Sequence, residues 1–476
     1  MKNRKTPFAT MLLALACFAL LPKAIAQLPS PTPDGGYPNR NTAEGTLALF
    51  ELTTGVDNTA LGFQALLYND TGSANTATGS LALNSNTAGR ANTATGYCAL
   101  KNNTSSNNTA IGSLALFYNT TGTSNTATGA SALYKNQTGL DNTATGYNAL
   151  YNTIGSNNTA NGSSALFYNY NGAYNTATGY QALFFNTGGY ANTANGANAL
   201  QNNTSGAHNT ASGQNALHDN QTGGHNAASG LDALFKNTGG SYNTATGNFA
   251  LFNNIGGNYN TAAGYQALNN STGSNNIALG ASAGSGLTTG SNNIDIAAPG
   301  VAGESNTIRI GKSGVHQAVY VQGIRGKTVA SGATVLVGSD GHLGTIISSA
   351  RFKDDIKPMD QASEVIHALQ PVTFHYKKDV DPDRTPQFGL VAEEVEKVNP
   401  ALVVHDADGK PYTVRYEAVN AMLLNEFLKE HRTVQEQQKE IDALKADLKE
   451  QKTLIRKVSD KVELSRPAPQ VVGNNP

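Results

Sequence analysis

Ser348 and Lys353 stand five residues apart in the segment Ile347-Ser348-Ser349-Ala350-Arg351-Phe352-Lys353-Asp354-Asp355-Ile356. A hydroxyl is a poor nucleophile until a base takes its proton, and a lysine serves once burial or neighbouring charge leaves its amine neutral. The pair thus has the residue types of a nucleophile and its base. Spacing alone is weak support, because a Ser five residues before a Lys arises by chance in most chains. No other catalytic constellation stands out. The nine His are scattered, and there is no phosphate loop, metal-ligand cluster or His-bearing triad, so no cofactor or metal is implied.

The elements that must position this pair begin at Ser348, where the texture of the chain changes. Of 65 charged residues, 41 lie after Ile347, while residues 41–292 hold 11. Pattern and breakers predict a helix from Ser363 to Leu369, strands from Val372 to Tyr376 and from Phe388 to Val391, and a helix from Ala392 to Val398 that stops before Pro400. A compact α+β unit fits. A final helix carries a heptad seam of Leu423, Phe427, Glu430, Val434, Gln437, Ile441, Leu444, Leu448, Gln451, Ile455, Val458 and Val462. Nine of these twelve are apolar, which suits a coiled coil over 421–463. The alternative is a helix packed on its own domain.

The order of residues from Ser348 resembles the intramolecular chaperone domain of endosialidase-type phage tail spikes and other tail fibres, an autoproteolytic serine peptidase family. Ser348, Arg351, Lys353 and Ile356 fill the opening pattern. Pro371-Val372-x-Phe374, Gly389-Leu390-Val391-Ala392-x-Glu394-Val395, Pro400-x-Leu402-Val403 and Tyr416-x-Ala418-Val419 follow in order, so the resemblance spans 348–463. It implies a cut between Ile347 and Ser348, with Ser348 as nucleophile and Lys353 as general base, once per chain. Ser349 stands where many relatives carry an acidic residue, and an inactive dyad retained for folding is the competing reading.

Upstream, Asn-Thr-Ala-x-Gly recurs with its Asn at 41, 58, 75, 92, 108, 125, 142, 158, 175, 192, 209, 226, 243, 260 and 276, every 16 or 17 residues. Helical-hairpin repeats and propeller blades need about twice that length or more. A β-solenoid with one coil per repeat remains, and fifteen coils at about 4.8 Å give a rod of about 70 Å. In a strand, positions two apart share a face. Thr76 and Thr78, or Thr143 and Thr145, alternate between coils with Thr59 and Leu61, Thr109 and Ile111, or Ile277 and Leu279. These positions are therefore expected to face the interior or a subunit interface; an outward Thr-x-Thr array suited to ice or crystal lattices is the alternative. Equivalent Asn residues are expected to form amide ladders, or else to serve as left-handed corners. After Gly280 the register fades, and 293–347 reads as a β-rich neck with a turn at Asp340-Gly341.

The repeat resembles the head repeats of trimeric autotransporter adhesins, which form a parallel β-roll of three chains. Those units are usually shorter and carry Val and Ile where this chain has Thr. They precede a membrane barrel, whereas here a charged helix and polar tail follow.

At the start, Lys2, Arg4 and Lys5, an apolar run from Met11 to Leu21 and Ala24-Ile25-Ala26 make the three-part pattern of a signal peptide cleaved after Ala26. The run is too short to span a membrane. Cys17 lies within it, so Cys98 is left alone and no internal disulfide is expected. Net charge is -1 with no basic cluster, which gives nucleic acid no electrostatic hold.

The expected fold is mainly β: a trimeric parallel β-solenoid rod, a β-rich neck, and a small α+β chaperone domain ending in a coiled-coil helix. The expected boundaries are a signal peptide at 1–26, a linker at 27–40, repeats at 41–292, the neck at 293–347, the chaperone domain at 348–463 and a disordered tail at 464–476. The expected product is an exported homotrimeric fibre, secreted or at the cell surface. Its partners would be its own copies and a cell-surface or glycan ligand, with no membrane span after signal removal. A phage-type fibre, a spike cutting outside substrates, and a fibre with an uncleaved chaperone are the alternatives.

Overall fold

The computed structural model describes residues 36–322, 324, 332–338, 340–406 and 408–465. The expected signal peptide, residues 27–35 of the linker, parts of the neck and residues 466–476 of the tail lie outside them. The chain divides into two compact units, Met1–Tyr320 and Val321–Pro476.

The first unit is the solenoid. Each coil contributes one short strand, such as Thr76–Thr78, Thr143–Thr145 or Thr244–Thr246. The strands join one 18-stranded sheet, parallel throughout except where Gly36–Tyr37 pairs antiparallel with the first coil. Register is in phase: Thr143, Ala144 and Thr145 face Thr126, Ala127 and Thr128 on one side and Thr159, Ala160 and Asn161 on the other.

Alternation along the strand sends the central Ala inward and the two flanking residues outward. Ala60, Ala77, Ala94 and Ala144 are fully buried, while Thr143 and Thr145 are exposed. The expectation that the Thr positions face the interior is thus overturned; a face toward solvent or another subunit remains. The coil is narrow, and its interior is filled by Ala from the strand and by the Ala-Leu pair across from it, such as Ala149 and Leu150. Outward hydroxyls need no internal partner.

That inner Leu has a local reason to be Leu. From Leu49 to Leu268 it sits at a left-handed φ near +50°, with Leu66 and Leu150 as examples. Val or Ile would crowd the backbone there through the branch at Cβ, whereas Leu branches one carbon further out. Glycine is required on the turn after the strand. Gly146 has φ +129°, and a Cβ on it would lie 2.6 Å from the carbonyl oxygen of Gly162.

Two amide columns run through the stack. Asn75 donates its backbone N–H and its Nδ2 to Oδ1 of Asn58 at 3.1 Å, and Asn92 does the same to Asn75. These Asn are buried, and the left-handed residue is the one before each, for example Ala74 or Ala91. They are therefore ladder residues, not the corner itself. A second column passes from Asn69 through Asn86, Asn103 and Asn119 to Asn136. It is interrupted by Thr153 and resumes at Asn169 and Asn186. Outside, Phe117, Tyr134, Tyr151, Phe167 and Phe184 stack face to face with centroids 4.9 to 5.5 Å apart.

The solenoid extends further than the repeat signature. Ile294–Ile296 and Ile308–Ile310 continue the same parallel sheet, so the boundary expected at 292 moves past Ile310. The Asn and Gly spacing shortens there while the pairing persists. At the other end, Asn41–Glu44 pairs with Gly36–Tyr37, so part of the expected linker is folded.

In the second unit, Val335–Val337 pairs antiparallel with Leu343–Thr345 around the expected turn. The helix expected from Ser363 is instead a 3-10 helix, Asp360–Ala368. Strands Val372–Phe374 and Gln387–Gly389 form one hairpin, and Val403–His405 and Pro411–Val414 another. Helix α1 is Ala392–Val398, and α2 is Tyr416–Leu464, 49 residues long. The core is small: Val395, Leu402, Val403 and Val414, flanked by Leu390, Val419 and Met422. No residue of α2 is buried, and its seam is bare, from Leu423 through Ile441 to Val462. Among the described residues no helix is long and apolar enough to cross a membrane.

Candidate active site

Ile347 and Ser348 lie in an extended, exposed stretch. A short 3-10 turn, Ala350–Phe352, follows; Phe352 N–H donates to Ser349 O and Lys353 N–H to Ala350 O, both at 3.1 Å. The turn sets Lys353 in extended backbone just beyond it. The Arg351 guanidinium lies 4.5 Å from the centre of the Phe352 ring. Among the described residues, neither the Ser348 hydroxyl nor the Lys353 ammonium has a hydrogen-bond partner, and both side chains are open to water. Ser348 and Lys353 are therefore close in sequence but not engaged in the isolated chain, and no enclosing wall surrounds them.

A polar network that the sequence reading missed lies in the same unit. Ser363 is buried and its hydroxyl donates to the Glu426 carboxylate, while Asn425 Nδ2 donates to Ser363 Oγ at 2.7 Å. Lys429 Nζ meets Glu426 at 2.8 Å and His367 meets it at 3.1 Å. Lys429, then Ser363, then His367 hold the Glu426 carboxyl down at about 2. Ser363 and Glu426 are 63 residues apart, so no local motif could have joined them; only the Glu426/Lys429 spacing on one helix face hinted at an ion pair. With its hydroxyl committed to a carboxylate inside the unit, Ser363 pins the 3-10 helix to α2.

The later motifs that carried the resemblance, from Gly389 onward, meet in space, whereas Ser348, Arg351, Lys353 and Ile356 are exposed. The Leu390 N–H donates to the Tyr416 hydroxyl at 3.0 Å, and Val395, Leu402 and Val403 are the core. Beside them is an open apolar groove of ≈ 510 Å³, lined by Leu369, Pro371, Val372, Phe388, Val419 and Leu423. Leu423 is also the first residue of the seam.

Residues 348–404 match the family described as the chaperone of endosialidase. The match opens on Ser348 and ends inside the strand Val403–His405, and the matched region is preceded by the long repeated β-solenoid. Its family is classed as a peptidase, which accords with an autoprotease. The match includes Ser348 and Lys353, and Glu426 lies outside it. No curated protein and no solved structure matches the chain.

Proposed function

We propose that this chain is an exported, trimeric fibre whose C-terminal region trimerises and folds the rod, then removes itself by cleavage between Ile347 and Ser348. The observation that carries the reading is the start of the chaperone match at Ser348, immediately after the rod and neck. The signal-like segment ending at Ala26 supports export.

Trimerisation accounts for what one chain leaves uncovered. The seam of α2 and the groove that ends at Leu423 suit neighbouring helices. In the rod, the strand face presents Thr through the middle and exposed Ile277, Leu279, Ile308 and Ile310 near its end. Three copies turn this face toward one another. The exposed edge strands of a solenoid template wrong pairings while it forms, and a prefolded trimeric C-terminal region holds the chains in register. Cleavage afterwards leaves a rod that cannot readily retrace its path.

The reaction balances within the chain and water. Lys353, acting as the base, takes the Ser348 hydroxyl proton while Oγ attacks the Ile347 carbonyl carbon. The carbon–nitrogen bond breaks, the proton passes to the Ser348 nitrogen, and an ester joins Ile347 to Ser348 Oγ. Water then hydrolyses the ester to an Ile347 carboxylate and a free Ser348 α-amine. A cell-surface or glycan structure is the ligand class assigned to the rod exterior.

Mass spectrometry of the expressed chain without its first 26 residues tests this. Fragments 27–347 and 348–476 are expected, with a new N-terminus reading Ser348-Ser349-Ala350. Ser348→Ala should abolish the cut, Lys353→Ala should slow it severely, and Ser349→Ala should leave it. An intact wild-type trimer, or cutting in Ser348→Ala, would reduce the region to a trimerisation chaperone. A monomer at micromolar concentration would overturn the fibre reading itself.

A further inference from the structure

Asp295 occupies a position that holds alanine in the coils before it. It is the central residue of the strand Ile294–Ile296, in register with Ala278 on one side and Arg309 on the other. Ala262 and Ala245 hold the same place in the preceding coils. Like them it points into the core: it is 1 % exposed, and neither carboxylate oxygen has a hydrogen-bond partner. Gly284 and Gly300 close over Oδ2 so tightly that a Cβ on either would lie 3.3 or 3.0 Å from it. Leu287 and Leu268 complete the apolar surround.

Two charged groups among the described residues face this carboxyl. Arg309 reaches from the last strand, and Glu304 from the turn before it. These two are joined at 2.7 Å, and Glu304 also accepts the Val301 N–H at 2.6 Å. The arginine charge is thus held by Glu304. A buried acid in this position is tolerated when neutral and costly when ionised.

We propose that Asp295 is an acid-operated latch on the last coil of the rod: protonated, it lets residues 296–311 close on the stack, and ionised, it releases them. Release uncovers the edge at Ile294 and Asp295, where the chain leaves the solenoid. Burial, reinforced by Glu304 and opposed by Arg309, pushes the carboxyl from its ordinary 3.8 up to about 6. Because the folded state favours the protonated form, the stabilisation is complete below the unfolded value near 3.8. It is lost as pH rises to about 6 and does not fall further above that. The Glu304–Arg309 pair acts in the opposite sense. Arg309 holds Glu304 below its ordinary 4.5, so that pair is already formed across the window above 4.5.

The chain has no Trp, so Val301→Trp in the full chain gives a single reporter in the released coil. Acrylamide quenching and amide exchange of 296–311, corrected for intrinsic exchange rates, are followed from pH 4 to 8. Opening should increase up to about a hundredfold between pH 4 and 6 and then level off. Asp295→Ala, which restores the residue of the preceding coils, and Asp295→Asn should both give a flat profile. Glu304→Gln should keep the profile with a lower midpoint. A flat profile in the reporter chain, or an unchanged one in both Asp295 variants, overturns the latch. This outcome is independent of whether Ser348 cuts.

Discussion

Nδ2 of Asn158 donates to Oδ1 of Asn142, one coil earlier, at 3.1 Å, and the same Nδ2 donates to the Gly172 carbonyl, on the following coil, at 2.9 Å. Oδ1 of Asn158 in turn accepts the backbone N–H of Asn175 at 3.1 Å. One buried amide therefore ties three successive coils.

Asn158→Ala removes these bonds and leaves the Asn175 N–H unpaired inside the stack, while the Gly172 carbonyl keeps the Asn169 Nδ2 at 2.9 Å. A local loss of about 2–4 kcal/mol is expected. Asn158→Asp should cost more at neutral pH, because a carboxylate would face two oxygen acceptors, and should recover in part in acid. Amide exchange over residues 142–175 reads both effects, with exposed Gln137→Ala as a control expected to lie within about 0.5 kcal/mol of wild type.

The 16 or 17 residue repeat was enough to foretell a solenoid and its Asn columns. It did not say which side of the strand was inside. Period 2 separates Ala144 from Thr143 and Thr145, but Leu61 and Ile111 at the Thr positions suggested the apolar side was theirs. The narrow coil reversed that inference, since its interior takes only Ala beside the left-handed Leu. Ile308–Ile310 was legible as a strand, but its place in the same sheet depends on pairing without the Asn-Thr-Ala-x-Gly signature. The family match over 348–404 was legible through ordered motifs. In the single chain the Ser348 and Lys353 side chains are exposed and unpaired, which no spacing encodes. Ser363 and Glu426 meet only because the 3-10 helix lies along α2.

Coils that touch only their neighbours tolerate removal in whole units. Deleting residues 159–175, one full period, should leave a folded rod one coil shorter, by about 4.8 Å. Gly146→Ala should be worse than the deletion, because its Cβ would meet the Gly162 carbonyl oxygen at 2.6 Å and its φ is +129°. Circular dichroism and small-angle scattering distinguish a shorter rod from a broken one. Global unfolding after the deletion would point to a single cooperative core.

Glu426 makes the docking of the Asp360–Ala368 helix on α2 sensitive to strong acid. Its carboxyl sits at about 2, below the ordinary 4.5, chiefly through Lys429 and Ser363. A depressed acid stabilises the folded state above its unfolded pKa and loses that contribution as pH falls. Docking should therefore be constant above about pH 4.5 and weaken progressively toward pH 2. Glu426→Gln should weaken docking at neutral pH and remove this acid dependence. Amide exchange across 360–368 checks it, and an unchanged acid profile in Glu426→Gln would assign the effect to another carboxylate.

The Thr face of the rod gives the sharpest test of how the copies meet. Thr143 and Thr145, with Thr176 and Thr178 two coils on, are exposed on the flat sheet. Replacing all four with Lys leaves every buried Ala, Leu and Asn in place, so each chain should still fold. Three copies meeting through this face would bring twelve positive charges together, and like charges held in an interface oppose association. Under the proposed trimeric reading, fragment 27–347 should then fall from trimer to monomer by light scattering. Tyr147→Lys and Tyr180→Lys, on the exposed turn that follows the strand, should leave the trimer intact. If the Thr variant stays trimeric while the Tyr variant dissociates, the copies meet through the turn face instead, and the Thr sheet is the rod's outer surface.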